Sequence, residues 1–456
     1  MAKTVFITCF NGFISRNILS TEAFNVLKAG GDIRVVIFAP QSRVQTIREE
    51  FGSSQVTVEG IDIASKSIES RKERFFWVLA TNLLRTKTRR VQRKVKLAQD
   101  NNLADYFFSI LVSFFGRFRL ARDFFRFSAG FFVSGEEFES FFARYKPDLL
   151  FATDVYTPED VKMMSLAHRR GIKVIGMVRS WDNITSKTLL QYIPDFLVVT
   201  SDYIREEAIR YADMPPDKIF VSGVPHYDRY RPEKCLPRGE FMEKYGFGQS
   251  DKLILLATPS DLYLKNNPVT SAAIKALADV PAKILVRLPL VGKAEAGDGD
   301  EPVNVVFDDP GMYPDFTQAH LTMEADRHLA NCLNASDVVI TWASTMIIDA
   351  AVFNKPIILL GFDSSPRPYA ESIIRFYDYE HHQPVLRGNA ARLVKSPEEL
   401  TYWVKKYLEN PHMDEEGLKA VAGRYCGYLD GKAGERLGKF LLEKLNPKSK
   451  AQNSKQ

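Results

Sequence analysis

The stretch from Ser336 to Asp363, SDVVITWASTMIIDAAVFNKPIILLGFD, constrains the fold of this chain more than any other. Two short β-branched runs, Asp337 to Ile340 and Ile357 to Leu360, flank Met346 to Phe353, which is apolar nearly all the way round. The runs read as strands buried on both faces and the middle as a buried helix, so the stretch predicts a parallel β-α-β unit. A helix beginning at Ala343, Ser344 and Thr345 presents unpaired backbone N–H groups and a partial positive charge beside two hydroxyls. Such an end accepts a phosphate. The same hydroxyls also serve as ordinary helix caps, and the sequence leaves both readings open. Asp349, a little over one turn further on, is either a carboxylate for the hydroxyls of a ribose on that phosphate or a buried acid bonded to local backbone.

Strand and helix patterns alternate through the rest of the chain. Val5 to Cys9, Ile33 to Phe38, Leu149 to Ala152, Val174 to Val178 and Phe196 to Thr200 read as strands, with helices such as Pro158 to Arg170 and Asp202 to Tyr211 between them. After a polar, proline-bearing stretch from Arg231 to Arg238 the pattern restarts with Lys252 to Ala257, Lys283 to Leu288 and Val303 to Phe307. The 456 residues, 45% of them hydrophobic, supply two cores. Two α/β domains with parallel sheets covered by helices are therefore expected. Ligands of such sheets bind beyond the carboxyl ends of the strands. Residues Asn11 to Asn17, Asp154, the Ser180-Trp181-Asp182-Asn183 segment and Ser344 all fall in loops of that kind. The first loop has one glycine and no G-x-G-x-x-G, which disfavours a dinucleotide oxidoreductase.

The S-D-V-V-I-T-x-x-S-T-x-x-x-D-A…N-K-P-I-I pattern resembles the C-terminal domain of GT-B glycosyltransferases, and especially the CDP-glycerol glycerophosphotransferase group. The run from Leu429, LDGKAGERLGKFL, resembles the closing helix of that group, and Ser180 to Lys187, SWDNITSK, resembles a stretch of bacterial surface-polysaccharide glycosyltransferase-like proteins. The resemblance implies the GT-B fold, two Rossmann-like domains facing a central cleft. It gives residues 1–235 as the acceptor domain, with an insertion at 65–133, and 236–428 as the nucleotide-donor domain. A helix at 429–445 and a disordered polar tail at 446–456 follow. It also implies a reaction without metal or other cofactor, the nucleotide-activated donor being a substrate. No Asp-x-Asp pair occurs where a GT-A enzyme holds its metal, and His and Cys show no zinc-ligand spacing.

Moving a sugar or polyol phosphate from a nucleotide to an alcohol needs a base for the acceptor proton and positive charge or donors for the leaving phosphate. Asp182 and Asp154 are the candidate bases, and His226, in the loop closing the first domain, is a third. Local structural roles compete for each: Asp182 as a turn residue, Asp154 as a helix starter, His226 as a buried hinge residue. Asn11, Arg16, Trp181 and Asn183 are the acceptor candidates, Arg16 for an acidic or phosphorylated group. Ser344, Thr345, Asp349, Arg287, Thr258 and Ser260 are the donor candidates. Relatives commonly carry R-x-H-P or K-x-H-P at Arg287, whereas this chain has Arg-Leu-Pro, so either Arg287 acts without the histidine or activity is altered.

Arg71 to Arg126 holds fourteen Lys or Arg against four acids, an excess of ten beside a net +5 for the whole chain, so the remainder is net acidic by five. Phe-rich pairs interrupt these charges. The apolar run from Leu103 to Phe115 falls short of the roughly 20 residues that span a bilayer. Basic helices with aromatic faces lie in a membrane interface, attracted by anionic lipid. Arg89, Arg90, Arg93, Lys94, Phe107, Phe108, Phe114 and Phe115 are the residues expected at such a surface. Packing of the aromatics onto the domain competes with this reading, and nucleic-acid binding lacks a recognition motif. Four scattered cysteines read as free thiols, and no leader peptide is evident, so the expected location is cytoplasmic, peripheral on the inner membrane face. The leading expectation is a nucleotide-sugar-dependent glycosyltransferase acting on a surface-glycan or lipid-linked acceptor. Alternatives are a CDP-glycerol or polyol-phosphate transferase, a UDP-N-acetylglucosamine 2-epimerase-like isomerase and a noncatalytic glycan-assembly scaffold.

Overall fold

A computed structural model describes residues 2–63, 70–133, 135–293 and 302–446. The expected tail lies outside them apart from Asn446, as do the first residues of the expected insertion. The chain forms two compact units. The first comprises Met1–Arg93, Asn102–Asp228 and Cys426–Gln456, the second Lys94–Asn101 and Arg229–Tyr425.

The first unit is built on seven parallel strands: β1 (Lys3–Thr8), β2 (Ile33–Pro40), β3 (Val56–Ile61), β4 (Leu149–Ala152), β5 (Lys173–Met177), β6 (Phe196–Val199) and β7 (Ile219–Val221), in the order β3-β2-β1-β4-β5-β6-β7. Central β1 pairs Val5 with both Val35 and Leu149, and its Val5, Phe6 and Ile7 are buried on both faces, as parallel sheets require. The second unit holds six parallel strands: β8 (Leu253–Ala257), β9 (Lys283–Arg287), β10 (Val305–Asp308), β11 (Val338–Thr341), β12 (Ile357–Leu360) and β13 (Arg392–Val394), ordered β10-β9-β8-β11-β12-β13. The Ser336 to Asp363 stretch is a parallel β-α-β unit, with Ile340 of β11 beside Leu256 of β8 on one side and Ile358 of β12 on the other. Val303, expected to open a strand, is 99% exposed, and β10 begins at Val305.

The last helix, Ala433–Leu445, belongs to the first unit. Its Leu437, Phe440, Leu441 and Leu445 enter the same core as Ala23, Phe24 and Leu27 of the helix Glu22–Lys28. The glycines of LDGKAGERLGKFL make this approach possible: a Cβ on Gly438 would lie 2.6 Å from Val26 Cβ and 2.9 Å from the Ala23 carbonyl oxygen. Asp228 seats the start of the helix, accepting from the N–H groups of Ala433 at 3.0 Å and Gly434 at 2.8 Å.

The basic, aromatic region folds into the helices Arg71–Leu83, Lys87–Asp100, Leu103–Phe115 and Arg119–Phe132. The first opens with a full capping box at Ser70 and Glu73. Phe76, Ala80, Leu83, Val112, Phe125 and Ala129 form its own small core with Leu189. Aromatic neighbours are split by the helix period: Phe125 and Phe76 are buried, whereas Phe124 and Phe75 face outward.

Candidate functional site

At the carboxyl edge of the second sheet, β9, β8 and β11 lie side by side and bring their following loops together. Ser344 and Thr345 precede the helix Met346–Val352, whose start is fixed by the Ser344 hydroxyl: Met346 N–H donates to it at 3.3 Å, and Thr341 Oγ1 lies 3.1 Å away. Thr345 is exposed, and its hydroxyl makes no capping bond. One hydroxyl thus serves the helix and the other stands open. Asp349 is buried on the next turn. Thr258 is buried and stitched to the end of β9, its N–H and hydroxyl both donating to the Arg287 carbonyl at 3.1 and 3.3 Å. Ser260 is buried too, accepting from Leu262 N–H at 3.2 Å.

Arg287, a donor candidate from the sequence, is not free at the end of β9. Its guanidinium is buried and ion-paired with Asp308, the last residue of the neighbouring strand β10. Asp308 also accepts from His328 Nε2 at 2.8 Å and Tyr245 Oη at 3.3 Å, and Cys332 Sγ lies 3.9 Å away. Burial pushes the Asp308 carboxyl up, but the His328 hydrogen bond and the Arg287 charge outweigh it, leaving it below the usual carboxylate range. Burial pushes the Cys332 thiol up to about 12. This cluster escapes sequence reasoning because its members come from four distant segments; the spacing of His328 and Cys332 by one helical turn is its only local trace. After β11, Trp342 lies 5.2 Å from the half-exposed Tyr263 and 5.6 Å from Phe376, a set of rings that adjoins the Ser344 turn in sequence.

At the carboxyl edge of the first sheet, Arg179 after β5 donates from Nε to Asp154 Oδ2 after β4 at 2.9 Å, and Asp154 Oδ1 accepts from Tyr156 N–H at 3.1 Å. The Phe13 ring receives both Arg179, at 6.0 Å, and Arg16, at 5.2 Å, which joins the first loop to the other two. Asn11 shapes that loop by accepting from Phe13 N–H at 3.0 Å, and Arg16 donates to Asn17 Oδ1 at 2.9 Å. The loop runs into a π-helix, Ser15–Leu19, a form frequent at functional sites. Arg179 and Phe13 are the residues sequence reasoning missed, although Arg179 directly precedes SWDN.

Asp182 is half-buried, its two oxygens accepting from the hydroxyls of Ser180 at 2.6 Å and Ser186 at 3.1 Å. Trp181 is buried, and Asn183 is buried with no hydrogen-bond partner for Nδ2 among the described residues. His226 is buried with its ring 4.3 Å from that of Tyr227.

In the insertion, Leu120, Phe124, Phe127 and Phe131 follow each other at i, i+4, i+7 and i+11, all exposed, with Phe124 and Phe131 each at 70%. Leu103, Phe107, Leu111 and Phe114 form a matching exposed stripe, joined by Phe108 and Phe115. Of the cations expected there, Arg90 and Lys94 are exposed, whereas Arg89 and Arg93 are half-buried, Arg89 donating to the Thr81 carbonyl at 3.1 Å. Arg122 and Arg126 turn inward to Asp213. No helix among the described residues is long and apolar enough to cross a membrane.

The sequence model of the CDP-Glycerol:Poly(glycerophosphate) glycerophosphotransferase family matches residues 308–443. No match was found among curated proteins. Among solved structures, UDP-GlcNAc 2-epimerase from Methanocaldococcus jannaschii aligns at a TM-score of 0.54 and 14% identity, over 97% of this chain and 99% of that one. A glycosyltransferase from Rickettsia africae aligns at 0.50 and 11%, over 98% and 100%. The wall teichoic acid polymerase TagF aligns at 0.50 and 12%, over 98% of this chain and 90% of that one. The fold is therefore GT-B, two Rossmann-like parallel-sheet units, and residues 308–443 resemble the glycerophosphotransferase family.

Proposed function

We propose that this chain transfers a sugar from a nucleotide donor to a surface-glycan or lipid-linked acceptor, working on the cytoplasmic face of a membrane. The observation that carries the reading is the Ser344–Thr345 turn, with its open hydroxyl at the sheet edge and a buried acid one turn behind. A donor diphosphate takes the Thr345 hydroxyl and the helix start, Asp349 takes the ribose, and the Trp342–Tyr263 faces take the base. Thr258 and Ser260 shape the adjoining loop, and Arg287 acts through it. In the acceptor unit Asp182, which accepts from the Ser180 and Ser186 hydroxyls after β5, is the proposed base, with Asp154, paired with Arg179, as the second candidate. Arg16, Asn11 and Trp181 line the acceptor side with Asn183, whose Nδ2 is a buried donor awaiting an acceptor oxygen.

A second reading, transfer of a polyol phosphate from a CDP-activated donor, is favoured by the family match over residues 308–443. Incubation with nucleotide sugars and with CDP-glycerol, followed by product analysis, tests both. Nucleotide released only when acceptor is present indicates transfer, and the productive donor decides between them. An altered sugar still attached to its nucleotide indicates epimerisation and overturns the proposal, as does failure of every nucleotide to raise the melting temperature.

Membrane docking rests on the two exposed apolar stripes with cations beside them, Arg117 lying 5.5 Å from the Phe114 ring. Phe107, Phe114, Phe124 and Phe131 changed together to Ser abolish sedimentation with anionic vesicles in this reading. Glutamate at Arg89, Arg90, Arg93 and Lys94 weakens it. Unchanged sedimentation of both variants removes the membrane from the proposal.

A further inference from the structure

Asp308, His328 and Cys332 offer one carboxylate oxygen, one imidazole nitrogen and one sulfur, all within 4.8 Å of one another. His328 and Cys332 project from the same face of the helix Met323–Ala335, and Asp308 meets them from the end of β10. Tetrahedral Zn²⁺ with bonds of about 2.0–2.3 Å sets its ligand atoms roughly 3.3–3.8 Å apart. Cys332 Sγ lies 3.6 Å from His328 Nε2, close to that spacing as it stands, and 3.9 Å from Asp308 Oδ2, the oxygen that Arg287 holds. The 2.8 Å between His328 Nε2 and Asp308 Oδ1 is a hydrogen bond, and an ion inserted between them lengthens it by about 0.6 Å.

We infer that these three side chains form a divalent-cation site in the second unit, selective for zinc-like ions. The ligand set supports this choice: thiolate and imidazole prefer zinc over Mg²⁺ or Ca²⁺, which take oxygen. Arg287 occupies the outer position that a ligating carboxylate requires, holding Asp308 by an ion pair. Tyr245 Oη, 3.2 Å from His328 Nε2, stands by the remaining coordination position, which a water fills. Binding moves two protons: the Cys332 thiol gives its proton to solvent, and the His328 ring carries its own on Nδ1 so that Nε2 is free to coordinate. The ion's role is to clamp the helix Met323–Ala335 to β10. It is independent of how the donor binds.

The full chain, stripped with chelator and given equimolar Co²⁺, tests this directly. A thiolate-to-cobalt charge-transfer band is expected, saturating at one ion per chain and abolished by excess Zn²⁺. C332S loses the band, whereas C235S, which changes a half-buried thiol elsewhere, keeps it. H328Q, as a second variant, weakens binding at least tenfold, and Zn²⁺ raises the melting temperature of the wild type but not of C332S. Absence of the band in folded wild-type chain, or a band of equal strength in folded C332S, overturns the site. If C332S does not fold, as judged by circular dichroism, the H328Q titration decides, equal affinity to wild type overturning it. Nucleotide-induced stabilisation of the same preparations is unaffected by either outcome.

Discussion

Each sheet carries an arginine–aspartate pair across the carboxyl ends of neighbouring strands, and the two pairs are housed differently. Arg179 and Asp154 join β5 to β4, with the guanidinium lying against Phe13 and 16% exposed. Arg287 and Asp308 join β9 to β10, each 8% exposed and hemmed in by Tyr245, His328 and Cys332. The first pair fastens the loops that follow β4 and β5. The second is closed inside a unit and behaves as part of its frame. A charge that water can still reach tolerates the loss of its partner, and a sealed one does not.

The largest effect that separates them is on stability. Asp308→Ala leaves Arg287 buried without a counter-ion and is expected to destabilise the second unit by about 3–5 kcal/mol in urea titration. Asp154→Ala leaves Arg179 able to hydrate and costs about 2 kcal/mol. Equal losses would dissolve the contrast. Next in size is a division of labour between the units. Ser344→Ala with Thr345→Ala should weaken nucleotide binding by about 10–100-fold, a loss typical of one or two hydrogen bonds to a charged group. Asp182→Asn should leave that affinity alone and lower kcat at least about 100-fold. Calorimetry and turnover on the same samples read both. If Asp182→Asn acts on nucleotide affinity instead, the donor and acceptor assignments of the two edges are reversed.

The smallest effect concerns pH. Burial pushes Asp213 up, but the hydrogen bond from Arg122 and the charge of Arg126 outweigh it, so its folded-state value is depressed. Its contribution is therefore present above the ordinary aspartate value of about 3.9 and is lost as the pH falls through the lower folded-state value. Amide exchange in Arg119–Phe132 should stay slow from neutral pH down to about 4 and quicken below. Exchange that quickens already near neutrality would show that Asp213 does not hold this helix.

Much of the framework is legible in the sequence because central parallel strands are buried on both faces and so leave unbroken apolar runs. Leu149–Ala152 and Ile357–Leu360 are read to the residue. The edge strands are not: β3 and β13 mix buried and half-exposed positions, β7 is half-exposed throughout, and short runs such as Ile219–Val221 carry no period to detect. The same limit governs the sites. The Ser344 turn shows because strand, hydroxyls and helix are consecutive. The ion pair of Arg287 is not legible because its partner, Asp308, is twenty-one residues away on another strand, and nothing in the local text announces the pairing. The aromatic pairs of the insertion are visible as pairs, but which member faces out depends on the packing around Leu189.

The closing helix has a consequence for how the chain comes off the ribosome. The first unit's other segments end at Asp228, yet its core awaits Leu437, Phe440, Leu441 and Leu445. At about 5–20 residues per second, translation takes roughly 10–40 s to reach them. During that interval the helix Glu22–Lys28 lacks the cover that Leu437, Phe440, Leu441 and Leu445 give it. The second unit, complete at Tyr425, has every residue of its core before the first does. The half made first is thus the half finished last, and a holding chaperone or an early stop codon would meet it with the closing helix's share of its core missing.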